Sequence, residues 1–134
     1  MTKINIIKDN NALNNAHYQA GDVLYKKGEY KEAITEFKKA LEAWPTDSDS
    51  AWAIAGCYSE MGKPELAEEY YNLALENSPE EKKNDLVYNM GNALFDQMKY
   101  KEAIRLYDSI PKEHHTYKMA KSNIRAAKKK IERL

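Results

Sequence analysis

A chain of 134 residues with five Gly and four Pro, nearly a third of it charged, is the length of one domain or a short repeat array and lacks the turn density of a β-sandwich. Its 21 basic residues balance 21 acidic ones, which removes any global attraction to nucleic acid or membrane. One cysteine, Cys57, excludes an internal disulfide framework and suits a reducing compartment, so the expected location is cytoplasmic.

The first eleven residues contain no apolar run of the kind a signal peptide needs, and 1–11 is expected to be a flexible N-terminal segment. From there the pattern predicts helices over 12–27, 30–43, 48–61, 64–77, 84–98, 100–110 and 117–134. Gly28 and Gly62 mark the turns inside the first and the second helix pair. Pro64 suits a first helical turn, while Pro45 and Pro79 stop the helices before them. Thr46, Asp47 and Ser48 are apt N-caps for the third helix. No apolar stretch approaches the length of a membrane span; Ala51 to Tyr58 is about as long as they get.

The helices repeat. Ala33, Ala67 and Ala103 are each followed four residues later by an aromatic ring: Phe37, Tyr71 and Tyr107. Seven residues later come Ala40, Ala74 and Ile110, so all three places share one helical face. Twelve residues before each alanine stands a small residue, Gly21, Ala55 or Gly91. A small residue on one helix admits the ring of its neighbour, so each unit reads as an antiparallel helix pair. The third copy departs from the pattern in three ways. It has Gln97-Met98-Lys99 where the others place glycine, two extra residues near Glu80-Glu81-Lys82-Lys83, and a second helix cut short at Pro111.

These recurrent small and aromatic places resemble the tetratricopeptide repeat family over about residues 14–116. The resemblance implies an all-α, right-handed α-solenoid of three antiparallel helix pairs, with repeats at about 14–47, 48–83 and 84–116. A seventh, capping helix at about 117–134 completes a domain spanning 12–134. In its outline Ala120, Ile124, Ala127, Ile131 and Leu134 form an apolar stripe, while Lys118, Lys121, Arg125, Lys128 and Lys129 face the other way.

By the same resemblance, the concave groove takes a peptide or a partner's helix, and the function is protein–protein interaction as an adaptor, scaffold or chaperone. The place fifteen residues before each anchoring alanine is aromatic every time: Tyr18, Trp52 and Tyr88. Asp22, Tyr25, Asn89, Asn92, Phe95 and Asp96 fall on the same face, with Asp49 and Asp85 at helix starts. Rings flanked by acids and amides suit an extended peptide with apolar or proline anchors and a basic flank. Trp52 has a second disposition, because the family's large residue lies one place earlier, at Ala51; a register shift would bury Trp52 between repeats.

Some members of the family clamp the acidic C-terminal tails of heat-shock chaperones with Lys, Asn and Arg. The matching places here are Tyr18, Asp22, Ala53, Asp85 and Asn89, and two of these are acids that repel a carboxylate, so those tails are not expected as partners. The three-repeat chaperones of secretion apparatuses are a closer analogue, resembled in length and in Ala55-Gly56-Cys57-Tyr58-Ser59-Glu60-Met61-Gly62. The remaining alternative is the C-terminal helix. Residues 111–134 carry eight basic and two acidic side chains, which could meet an acidic surface or nucleic acid.

Catalysis and cofactors are not expected. There is no Gly-rich phosphate loop, Glu68-Glu69 and Glu80-Glu81 read as wet helix surface, and Cys57 reads as a small core filler. His17 has no partner at helical spacing. His114 and His115 are adjacent, and on a helix their rings would diverge by about 100°, so no metal site is expected.

Overall fold

The computed structural model describes the backbone of residues 2–134 and the side chains of residues 11–134. Seven helices follow in order: α1 Thr2–Lys26, α2 Tyr30–Ala43, α3 Ser48–Glu60, α4 Pro64–Asn77, α5 Glu80–Asp96, α6 Tyr100–Asp108 and α7 Tyr117–Glu132. The segment expected over 1–11 lies, but for Asn11, outside the described side chains. The expected helices and the observed ones agree closely for α2 and α4. α1 is longer than expected and α6 two residues shorter. α5 begins at Glu80 rather than 84 and ends at Asp96 rather than 98. The two extra residues of the third repeat are therefore absorbed as helix, because Glu80-Glu81-Lys82-Lys83 are all good helix formers with acids in the first turn.

The three turns between paired helices are built alike. Gly28, Gly62 and Met98 hold φ of 78°, 72° and 65°. In each, the next residue's N–H donates to a carbonyl five residues back: Glu29 to Leu24, Lys63 to Tyr58, Lys99 to Leu94, all at 2.9 Å. This is the left-handed helix stop that glycine usually supplies. Met98 takes the glycine's place with the same backbone. Asp47 is the N-cap of α3; its carboxylate accepts from Asp49 N–H at 3.1 Å and Ser50 Oγ at 2.5 Å. Asn14 ties that cap to the first pair, donating to Asp47 at 2.9 Å and to the Ala40 carbonyl at 2.8 Å.

Every helix packs on the next along the chain, giving a solenoid of helix pairs. The core is a file of three clusters. Ala33, Ile34, Phe37, Ile54 and Cys57 join the first pair to the second. Ala51, Ala55, Ala67, Tyr71, Ala74, Leu86 and Ala93 join the second to the third. Leu94, Ala103, Tyr107, Ile110, Ala120 and Ile124 seat α7 on the third. On α7, Ala120, Ile124 and Ala127 are buried as the stripe requires, and Ile131 is half-buried. Leu134 is not: it is 87% exposed, two residues beyond the end of α7 at Glu132, at the rim of a cavity it shares with Ile131 and Met98–Glu102. Among the described residues no helix is long and apolar enough to cross a membrane.

Candidate peptide-binding groove

The odd-numbered helices of the pairs line one surface, and three cavities follow one another along it. The first, about 450 Å³, lies between α1 and α3, among Tyr18, Asp22, Tyr25, Asp49, Trp52 and Gly56. The second, about 380 Å³, shares Tyr25, Trp52 and Gly56 with it and continues to Asn89, Asn92 and Asp96 of α5. The third, about 330 Å³, shares Asn92 and Asp96 and ends at Phe95, Tyr107 and Asn123. Shared walls make the three a single run across the molecule.

Of the residues expected to line a groove, Tyr18, Asp22, Tyr25, Trp52, Asn89, Asn92 and Phe95 all border these cavities. Trp52 takes part in both of its possible dispositions. Its ring is half-buried against the Ala51–Tyr71 cluster and still forms a wall of two cavities, while Ala51 is the buried neighbour. Tyr88 stands beside the run rather than in it. Its ring packs on Tyr107 at 5.9 Å between centroids, and Asn123 Nδ2 reaches its hydroxyl at 3.5 Å. Asp85 is placed away from the cavities, beside the α6–α7 loop.

Spacing did not single out several wall residues. Lys82, brought in by the longer α5, donates to Asp49 at 2.8 Å across the first cavity. Asn123, from α7, donates to Asn92 Oδ1 at 3.2 Å, and the Tyr107 hydroxyl donates to the same oxygen at 2.5 Å. These two bonds orient Asn92 and close the far end of the run. Gly56 adds an open stretch of wall; a Cβ built there meets nothing within 4 Å. The two extra residues near Glu80–Lys83 were the only sequence sign of Lys82, and nothing periodic marked Asn123.

The electrostatics are acidic. Burial, then the charges of Asp49, Asp22 and Asp47, push the Tyr18 phenol above its ordinary value. Tyr25 is raised by burial and then by Glu60. Burial alone raises the Asp96 carboxyl. The hydrogen bond to Asp49 holds the Lys82 ammonium above its usual range, so that cation is engaged by its neighbour rather than free for an anion. Lys26 is likewise taken up by Asp22 at 2.9 Å. The surface can offer aromatic faces, amides and carboxylates, and it lacks an uncommitted cation for a ligand carboxylate among the described wall residues.

The histidines correct one expectation. His114 and His115 do not lie on a helix, so their rings do not diverge. They sit in consecutive turns after Pro111, closed by His114 N–H to the Pro111 carbonyl and Tyr117 N–H to the His114 carbonyl, each at 3.0 Å. The ring centroids are 4.4 Å apart. The basic residues expected on the outer face of α7, Lys118, Lys121, Arg125, Lys128 and Lys129, are all exposed.

A family model described as tetratricopeptide repeat matches residues 12–80. Type IV pilus assembly protein PilF of Pseudomonas aeruginosa is 29% identical over 96 residues, covering 72% of this chain and 37% of its own length. The chain thus spans little more than a third of that relative. Among solved structures, the first such domain of Spaghetti (RPAP3), bound to an HSP90 peptide, superposes with a TM-score of 0.76 at 22% identity, covering 90% of this chain and 97% of that one. The Yersinia enterocolitica type III secretion chaperone SycD, in complex with a peptide of the translocator YopD, gives 0.75 at 19%, covering 87% and 92%. At these identities the superpositions speak to fold alone.

Proposed function

The chain belongs to the tetratricopeptide repeat family, and from that premise we propose that its domain, residues 12–134, is a non-catalytic module that holds an extended segment of another polypeptide in the run of cavities from Tyr18 to Asn123. The observation that carries the reading is the sharing of walls: Tyr25, Trp52 and Gly56 between the first two cavities, Asn92 and Asp96 between the last two. A single bound segment could lie along all three. Tyr18, Tyr25 and Trp52 supply ring surface at low entropic cost, and Asn89 and Asn92 can pair with peptide amides.

The preferred ligand carries apolar or proline anchors and basic side chains. Asp22, Asp49, Glu60 and Asp96 border the cavities, and Lys82 is already paired. An acidic chaperone tail would meet those carboxylates with no free cation in compensation, so such tails are excluded from the reading. A narrower form of the same function is a client chaperone of the secretion type, supported by the length and by the Ala55–Gly62 resemblance. The buried, reduced Cys57 favours a cytoplasmic setting.

The test is selection of a displayed random-peptide library on the full chain, with affinities measured for the chosen peptides. We expect basic peptides with aromatic, aliphatic or proline anchors. Asp22→Lys with Asp96→Lys, both outside the core, should weaken them at least about tenfold, a loss of about 1.4 kcal/mol. Reversing Lys121, Arg125 and Lys128 to Glu should leave them unchanged. Selection of acidic tails, or loss of binding only in the α7 variant, would refute the groove and favour the basic helix.

A further inference from the structure

We propose that Asp85, His114 and His115 form a binding site for one divalent transition-metal ion, zinc by its donor set, which fastens the loop before α7 to α5. One carboxylate and two imidazoles present ligand atoms that all lie within 4.8 Å of one another. His115 Nε2 is 2.6 Å and His114 Nε2 3.6 Å from the same oxygen, Asp85 Oδ1. Around tetrahedral zinc, with bonds of about 2.0–2.2 Å, donor atoms stand about 3.4 Å apart. The two observed separations straddle that value, so seating an ion opens one gap by less than about 1 Å and leaves the other nearly as it is, and the two imidazole donors, within 4.8 Å of each other, settle to the same spacing.

Without an ion the two rings point Nε2 at the Asp85 carboxylate, and the surroundings supply what an ion needs to replace those protons. Each imidazole gives its Nε2 lone pair and keeps its proton on Nδ1. In His114 that Nδ1 lies 2.7 Å from Thr116 Oγ1, and Thr116 is buried, so the hydroxyl can accept the ring N–H and fix the imidazole in the ligating tautomer. In the ion-free loop the Thr116 backbone N–H donates to Nδ1 at 3.3 Å, which belongs to the other tautomer with the proton on Nε2 toward Asp85, so binding an ion releases that proton and exchanges this long bond for the shorter one from Nδ1–H to Oγ1. His114 is 14% exposed and Asp85 29%, which holds two ligands in place, whereas His115 is 70% exposed and can swing onto an arriving ion. That leaves the fourth position to water, as in three-ligand zinc sites. The ligands come from α5 and from the turns that lead into α7, so binding joins two elements that are otherwise thirty residues apart in sequence. Imidazole donors select against magnesium and calcium, which prefer all-oxygen sites.

The test is calorimetric titration of the untagged full chain with zinc, alongside thermal melting. We expect one zinc per chain and a Tm rise of about 5 °C or more at a hundredfold excess over Kd, with neither effect from magnesium. His115→Ala and Asp85→Asn should each weaken binding at least about tenfold, a loss that even outer-shell partners can produce. His17→Ala, which alters the histidine paired with Glu36 on the first repeat, should bind as the unaltered chain does. His115 is exposed, so its variant keeps the fold and decides the matter if Asp85→Asn does not. Absence of saturable zinc binding, equal binding of magnesium, or wild-type affinity in His115→Ala would overturn the site. None of these results bears on the peptide groove.

Discussion

A Cβ built on Gly91 would stand 2.6 Å from Tyr107 Cε1, so the α5–α6 pair closes only because that position has no side chain. The same relation holds between Gly21 and Phe37, also at 2.6 Å, while the second repeat manages it with Ala55 and Tyr71. Gly91→Ala should therefore cost about 1–3 kcal/mol by overpacking, partly offset by the gain in helix propensity. Gly56→Ala, where the new methyl meets open space, should stabilise by up to about 1 kcal/mol. Chemical denaturation of the two variants checks both signs, and a Gly91→Ala chain as stable as the parent would mean the pair can part without loss.

Met98 occupies the left-handed position that Gly28 and Gly62 hold in the other turns. A residue with a Cβ there carries about 1–2 kcal/mol of steric cost, and its side chain is 67% exposed, contributing little in return. Met98→Gly should raise stability by about 0.5–1 kcal/mol, the strain relieved less the extra entropy of unfolded glycine. Gly62→Met should lower it by a similar amount. Tm changes of the same sign in both variants would show that the turns are not equivalent.

The capping helix can be tested side chain by side chain. Ile124 is buried with Leu94, Tyr107 and Ile110, and Ile124→Ala should cost about 2–4 kcal/mol. Leu134→Ala should change stability by less than about 0.5 kcal/mol, since the side chain stands in solvent. Replacing Lys121, Arg125 and Lys128 by Gln should also be nearly neutral, for all three are exposed. Truncation after Lys118 should unfold or aggregate the chain. If the truncated chain melts with the full one, α7 is not a cap.

What could be read from the sequence is what recurs. The spacing of sixteen from Gly21 to Phe37 is repeated from Ala55 to Tyr71 and from Gly91 to Tyr107, so the pairing of helices and the face they bury followed from periodicity alone. The aromatic place at Tyr18 and Trp52 was legible for the same reason. Single events were not. Lys82 reaches Asp49 only because two added residues lengthen α5, and an insertion near charged residues reads equally well as a loop. His114 and His115 were read on helical geometry, which fails where Pro111 has ended the helix and two turns set the rings side by side. Leu134 fits the stripe of α7, but periodicity does not say that the helix stops at Glu132.

Stability depends on pH through Cys57. The thiol is free and buried in the cluster that joins the first two repeats. Burial, and then the charge of Glu60, push its pKa to about 11. An unfolded cysteine ionises near 8.5, so between about pH 8.5 and 11 the unfolded chain releases this proton first. The folded state then binds more protons, and stability falls as pH rises through that window; below it the contribution is fully present. Two measurements follow. At pH 8 a maleimide should label the native thiol at least about tenfold more slowly than the denatured one, from thiolate fraction alone. Between pH 8 and 10 the Tm of the parent should fall more steeply than that of Cys57→Ala, whose other titrating groups are the same. Equal labelling rates in the native and denatured chain, or parallel pH profiles for the two proteins, would place this thiol at the surface and separate the first two repeats where the structure packs them together.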